Sequence, residues 1–189
     1  QPSHLLLFDA DGALINEARL DFPTGDVGIL ELEDLLGACK LESGMKHGHL
    51  EIRSAPFSRH CLRLFTREGA CFEGEPAIVS SRKGAFVPVV FAPERSCLLV
   101  FVNHGAGTAS LKCRLYCGKR TPETTFSVPA FGSRVLSVAA LFPEFSAQEG
   151  FSYLQGYFRI TSMDDCICGV QLLEVSGSSN ETGIPGSIS

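Results

Sequence analysis

Asp9-Ala10-Asp11-Gly12 is the first place along the chain where residue types and spacing suggest chemistry. Alternate carboxylates followed by a glycine open a calcium loop, in which oxygens wrap a hard cation. A full loop ends in a bidentate glutamate at position twelve. Counted from Asp9 that position is Leu20, which has no oxygen to give. A tight hairpin turn accounts for the same residues, because Gly12 accepts a positive φ at no steric cost. His47 and His49 lie two apart, so on a strand their imidazoles share a face and could hold a metal with a third ligand from a neighbouring strand. Leu50 and Ile52 are expected to point into the core, which places both histidines on a solvated outer face. Cys166-Ile167-Cys168 has one residue between its thiols, fewer than structural zinc uses, and no second pair completes four ligands. Asp9, Asp11, His47 and His49 thus stand as metal candidates, but the expectation is no metal and no cofactor.

Nucleophilic catalysis calls for a serine or cysteine in a strained glycine elbow, with a histidine and an acid to match. Gly-x-Ser-x-Gly is absent, as is any phosphate-cradling glycine loop followed by Lys-Ser or Lys-Thr. The chain therefore reads as non-enzymatic, with no catalytic residue assigned. Aromatics supply the remaining kind of site. With no Trp and three Tyr, the best platform for a sugar or small ligand is Tyr153 and Tyr157, four apart near a loop over 145–157, with Phe151 beside them. The competing role for these rings is a lid on the core.

Bulk composition narrows the classes further. The 189 residues are 44% hydrophobic and 20% charged, enough apolar material for one or two cores. A net charge of −5 argues against a nucleic-acid footprint, which shows as a basic face. The adjacent cations Arg82-Lys83 and Lys119-Arg120 flank turn signals and read as solvated loop charge. No stretch reaches the roughly 18–20 apolar residues of a membrane span. The opening Gln-Pro-Ser-His lacks a start Met and a leader pattern. That leaves both a mature protein and a piece of a longer chain open, and the compartment undefined. Eight cysteines suggest an oxidised framework, yet Cys113 and Cys117 alternate in step with Ala109, Leu111 and Leu115. Buried thiols are the expectation.

The elements that would position these residues come in two similar sets. Leu-Phe-Asp-Ala-Asp-Gly (7–12), Arg-Leu-Asp-Phe-Pro (19–23), Gly-Ile-Leu-Glu-Leu-Glu-Asp-Leu-Leu (28–36) and His-Leu-Glu-Ile-Arg-Ser (49–54) form the first. Leu-Tyr-Cys-Gly (115–118), Thr-Phe-Ser-Val-Pro (125–129), Arg-Val-Leu-Ser-Val-Ala-Ala-Leu-Phe (134–142) and Tyr-Phe-Arg-Ile-Thr-Ser (157–162) form the second. Pro23 matches Pro129, Leu30 matches Leu136 and Ile52 matches Ile160, with an offset of 106 in the middle and 108 at the ends. Length changes thus fall in turns, where a duplicated fold tolerates them. Each set reads as short strands of period two, ended by proline, plus one helical turn or apolar loop at Leu35-Leu36 or Leu141-Phe142-Pro143. The strands 84–91 and 97–102 precede the second set only. The first copy is therefore incomplete: either its leading strands are missing, or it borrows strands from the Pro76 to Ser81 link or from another molecule. The expected fold is all-β: two similar β-sandwich units, immunoglobulin-like or jelly-roll-like, over 1–72 and 73–175, with a flexible tail over 176–189.

The pattern Asn103-His104-Gly105, Leu115-Tyr116, Phe126-Ser127-Val128-Pro129, Leu141-Phe142-Pro143 and Phe158-Arg159-Ile160-Thr161-Ser162 resembles bacterial repeat-type β-sandwich modules. The sensory rhodopsin transducer proteins look similar across roughly 97–175. The resemblance implies a non-enzymatic binding or assembly module, often oligomeric, although fold alone does not fix function. The expected partners are a protein or a second copy of the chain, with a glycan or small ligand as the alternative, and neither nucleic acid nor membrane.

Overall fold

A computed structural model describes residues 3–20, 47–53, 64–65, 71–72, 76–92, 95–145 and 153–176. Phe151, the 21–46 stretch and the 177–189 tail lie outside the described residues, and with them the expectations placed there.

Strict alternation makes the long strands. In β9 (Ala109–Cys117), Ala109, Leu111, Cys113, Leu115 and Cys117 are buried while the residues between them face outward, as a two-residue period requires. The same rule builds β7 (Ala85–Phe91), β8 (Arg95–Asn103) and β12 (Leu154–Ser162), while β13 (Cys168–Ser176) is buried on both faces at its start. With β6 (Ala77–Val79), β10 (Glu123–Val128) and β11 (Ser133–Ser137), these strands form two antiparallel sheets. Their orders are β10-β9-β12-β7 and β11-β8-β13-β6. Successive strands mostly cross between the sheets, and the two orders together are those of an eight-stranded jelly roll. The expected all-β sandwich is therefore present, and its topology is the jelly roll of the two alternatives.

Between the sheets lies one core, with Leu99, Phe101, Leu111, Leu115, Phe158 and Ile160 fully buried. Its end is plugged where β11 runs into a single helical turn, α1 (Val138–Leu141), and a short 3₁₀ turn (Pro143–Phe145). Phe142, between them, stacks on Phe158 at 5.9 Å, so the expected apolar cap is observed. Pro129 stands directly after β10, where it can no longer break a ladder. Pro88 sits inside β7, opposite Tyr157 of β12. It is tolerated because β7 is an edge strand of its sheet.

The first set of strands forms its own sheet, ordered β2-β1-β3, from β1 (Ser3–Asp9), β2 (Leu14–Leu20) and β3 (Gly48–Arg53). Two further short strands, β4 (Leu64–Phe65) and β5 (Cys71–Phe72), pair with each other. The Pro76 to Ser81 link does not complete the first sheet. It supplies β6, which pairs with β13, because Val79 is needed in the sandwich core.

Candidate functional site

The turn after β1 is a hairpin. Asp9 Oδ1 accepts hydrogen bonds from the backbone N–H groups of Asp11 and Ala13, at 3.0 and 2.8 Å. Gly12 has a φ of 90°. The carboxylate is spent on its own loop, the usual work of an Asp at a turn. Among the described residues no group of three His, Cys, Asp or Glu side chains is placed to hold a metal ion. Asp9, Asp11, His47 and His49 are thus not brought together as ligands.

The histidines depart from the expected solvated face. His47 Nε2 lies 3.3 Å from the Ser133 carbonyl oxygen of the sandwich. His49 stacks on Phe8 with 5.1 Å between ring centroids and 10° between planes. Its Nδ1 is buried with no hydrogen-bond partner, as is Ser133 Oγ. Burial holds the His49 pKa below its ordinary value, with His104 and His47 pushing the same way and Glu51 and Asp9 opposing. Ile52, expected inward, is exposed, and Leu50 is half-buried. Alternation alone does not tell which face of a sheet meets a second body.

His47 reaches, through Ser133, a cradle built around Asn103. That side chain is 1% exposed. Its Nδ2 donates to the carbonyls of Gly107, Val128 and Pro129 at 2.8–3.2 Å, and its Oδ1 accepts from the Gly105 N–H at 2.9 Å. One amide therefore ties the 103–107 loop to the turn between β10 and β11. Phe131 N–H donates to Gly105 O, and Asn103 N–H to Gly132 O. Phe131 is held at a φ of 52°, a conformation that a bulky residue adopts only when its surroundings insist. Into this turn comes the tip of the first hairpin: Ser133 N–H donates to Ala10 O at 2.9 Å. A Cβ on Gly12 would overlap the Ala130 carbonyl, and one on Gly132 would lie 2.6 Å from Ala10 O.

The second cluster lies on the outer face of the sheet β10-β9-β12-β7. Tyr157 is a strand residue of β12, not a loop residue, and stands in register between Pro88 and Tyr116. Tyr116 and Tyr157 stack at 4.8 Å and 11°, and Phe86 packs against Tyr157 at 5.9 Å. Tyr157 is 41% exposed and Phe86 65% exposed. Tyr153, 69% exposed, precedes β12. Among the described residues Tyr157 stacks with Tyr116 and Phe86, with no ring contact to Tyr153, and Phe151 lies outside them. Tyr157 is not a lid on the core. Sequence reading missed Tyr116 and Phe86, though both sit on the outward phase of their alternating strands.

One row along the same sheet, Arg159 lies between Phe86 and Arg114, and Arg114 lies opposite Glu123. Arg114 binds Glu123 through both Nε and Nη2 and reaches the Tyr116 hydroxyl at 3.5 Å. Lys112 approaches the same carboxylate at 3.6 Å. Hydrogen bonds from Arg114 and then Arg159 lower the Tyr116 pKa, and Arg114 lowers that of Glu123. Lys112 and Arg114 thus share one carboxylate and Arg159 lies opposite Arg114, giving a cationic aromatic patch on a chain whose net charge is −5.

No family model matches the chain, and no curated protein matches it. A solved structure titled "Structure of infectious bursal disease virus Gt strain" aligns with a TM-score of 0.19 and 11% identity. The alignment covers 95% of this chain and 54% of that one. This chain thus spans about half the length of the solved one, and a likeness so slight carries no argument. Among the described residues no helix is long and apolar enough to cross a membrane.

Proposed function

We propose that this chain is a non-enzymatic β-sandwich module that mediates protein–protein association, its own included, through the outer face of β7, β12, β9 and β10. The observation that carries this reading is Phe86, in solvent against the Tyr157–Tyr116 stack and next to Arg159. Exposed contiguous apolar surface rimmed by charge marks interaction sites. Tyr, Phe and Arg are the residue types enriched where proteins meet. Three cations against one carboxylate favour an acidic partner surface, which the rest of this acidic chain can offer.

Sedimentation equilibrium tests it. Mass should rise with concentration for the wild-type chain, and Phe86→Ser with Tyr157→Ser should remove that rise. Identical monomeric behaviour of both chains overturns self-association by this face. Tyr153, the most exposed aromatic of the chain's described residues, favours a second reading, a carbohydrate or small-ligand site. Glycan-array binding lost on Tyr153→Ala is its signature, and an array without hits removes it.

A further inference from the structure

The pairing of β1 with β3 repeats that of β9 with β12, residue for residue. Adding 108 turns Leu5↔Ile52, Leu6↔Glu51, Leu7↔Leu50 and Phe8↔His49 into Cys113↔Ile160, Arg114↔Arg159, Leu115↔Phe158 and Tyr116↔Tyr157. The order β2-β1-β3 likewise parallels β10-β9-β12. In the second sheet a fourth strand follows, because β12 also pairs with β7 from Leu154 to Ile160. In the first sheet β3 is the last strand, and no strand lies along its outer edge among the described residues.

The other borders of these sheets are short or broken. β6 has three residues, β7 contains Pro88, β10 stands between Pro122 and Pro129, and β11 runs straight into α1. The pairing of β2 with β1 is interrupted at Leu7/Phe8. Such edges take up another strand poorly. β3 has six residues, no proline and an uninterrupted register with β1. Gly48, Ile52 and Arg53 along it are exposed.

We infer that β3 pairs antiparallel with β3 of a second copy of this chain, across a two-fold axis at Ile52. Such an axis sets one residue opposite itself and exchanges its neighbours. Centred on Glu51, it would bring two carboxylates together. Centred on His49, it would oppose two imidazoles already committed to Phe8. Centred on Leu50, it would leave Ile52 opposite Gly48. Centred on Ile52, which is 39% exposed, it covers that side chain with its twin and lays Glu51 opposite Arg53 on both sides of the axis. Glu51 and Arg53 already meet at 2.7 Å within one chain, so the pairing joins two ion pairs into a cluster of four charges. This self-complementarity is what designates a second copy as the partner. The contact uses none of the side chains of the outer face, so either can exist without the other. The strand is short and the pair transient, so a covalent trap reads it rather than mass at equilibrium.

Ile52→Cys in the full chain, mildly oxidised as a mixture of light and isotope-labelled protein, should give a disulfide joining position 52 of one molecule to position 52 of another. Leu14→Cys, exposed on the opposite border of the sheet, should give only background. In the Ile52→Cys chain, Arg53→Glu sets like charges opposite each other and should lower the yield about fivefold. Adding Glu51→Arg restores opposite charges and should restore the yield. Phe86→Ser with Tyr157→Ser should leave the yield unchanged. A yield no higher than that of Leu14→Cys overturns the inference, as does one that Arg53→Glu leaves unchanged or that Glu51→Arg fails to rescue. Loss of the crosslink with Phe86→Ser and Tyr157→Ser assigns the encounter to the outer face and overturns the edge pairing. A disulfide from position 52 to a cysteine of its own molecule, with no mixed-isotope product, gives the edge to another segment of the same chain and also overturns it.

Discussion

Phe8 on His49 and Tyr116 on Tyr157 are the same arrangement in two environments. In the first sheet Leu5, Leu6, Leu7 and Phe8 are all buried, so both faces of β1 are covered. In the second, Leu111, Cys113, Leu115 and Cys117 are buried while Lys112, Arg114 and Tyr116 stay partly in solvent. The residue types follow the surroundings. Where the outer face is covered, the position of Arg114 is held by Leu6 and a stack is completed by a histidine whose inner nitrogen has no partner. Where it is open, tyrosines bring hydroxyls that two arginines can reach. A covered and a partly uncovered version of one arrangement thus occur in the same chain.

The largest effect should separate the two cores. Phe158→Ala, at a fully buried position, should cost about 3–5 kcal/mol of unfolding free energy. Leu50→Ala at the matching half-buried position should cost roughly 1 kcal/mol. Equal losses in denaturant titrations would break the contrast. Next, Asn103→Ala strips the donor from three carbonyls and the acceptor from Gly105, and should cost about 1–3 kcal/mol. It should also loosen the first hairpin, seen as faster amide exchange at Ser133.

The stack should show itself in pH dependence. His49 is depressed in the folded chain, so the unfolded chain binds more protons below about pH 6.5. Its contribution to stability is full above that value and declines as pH falls towards the folded pKa. Melting temperature should drop more steeply between about pH 7 and pH 5 in the wild-type chain than in His49→Phe, which keeps the stack without the proton. Parallel curves would show that His49 does not carry the dependence. Thiol labelling gives a further contrast. Burial pushes Cys113 and Cys168 up to about 12, so both should resist alkylation at neutral pH until unfolding, while the more accessible Cys166 reacts first. The smallest effect belongs to the outer face: Phe86→Ser should change stability by only about 0.5 kcal/mol or less while reducing association.

The described strand positions, the closing Pro129, the positive-φ glycines and the cap at Leu141-Phe142-Pro143 were legible in the sequence, because each leaves a local mark. Jelly-roll connectivity was not, since alternation says which residues face inward but not which strand is the neighbour. The candidate site was half legible. Tyr157 could be named from its type, but its partners Tyr116 and Phe86 come from β9 and β7, brought alongside only by pairing. His49 was misplaced for the same reason: its face is buried by Phe8 and by groups around residue 104, more than fifty positions away.

Pro88 has a further consequence. By removing a donor midway along the open border of β7, it denies an incoming chain an unbroken ladder there. Molecules crowding this side are steered away from zipping backbone to backbone, the route that leads to fibres. In the proposed association they would meet through rings and guanidinium groups instead. Contacts of that kind come apart again, so the proline biases the surface toward reversible encounter rather than permanent fusion.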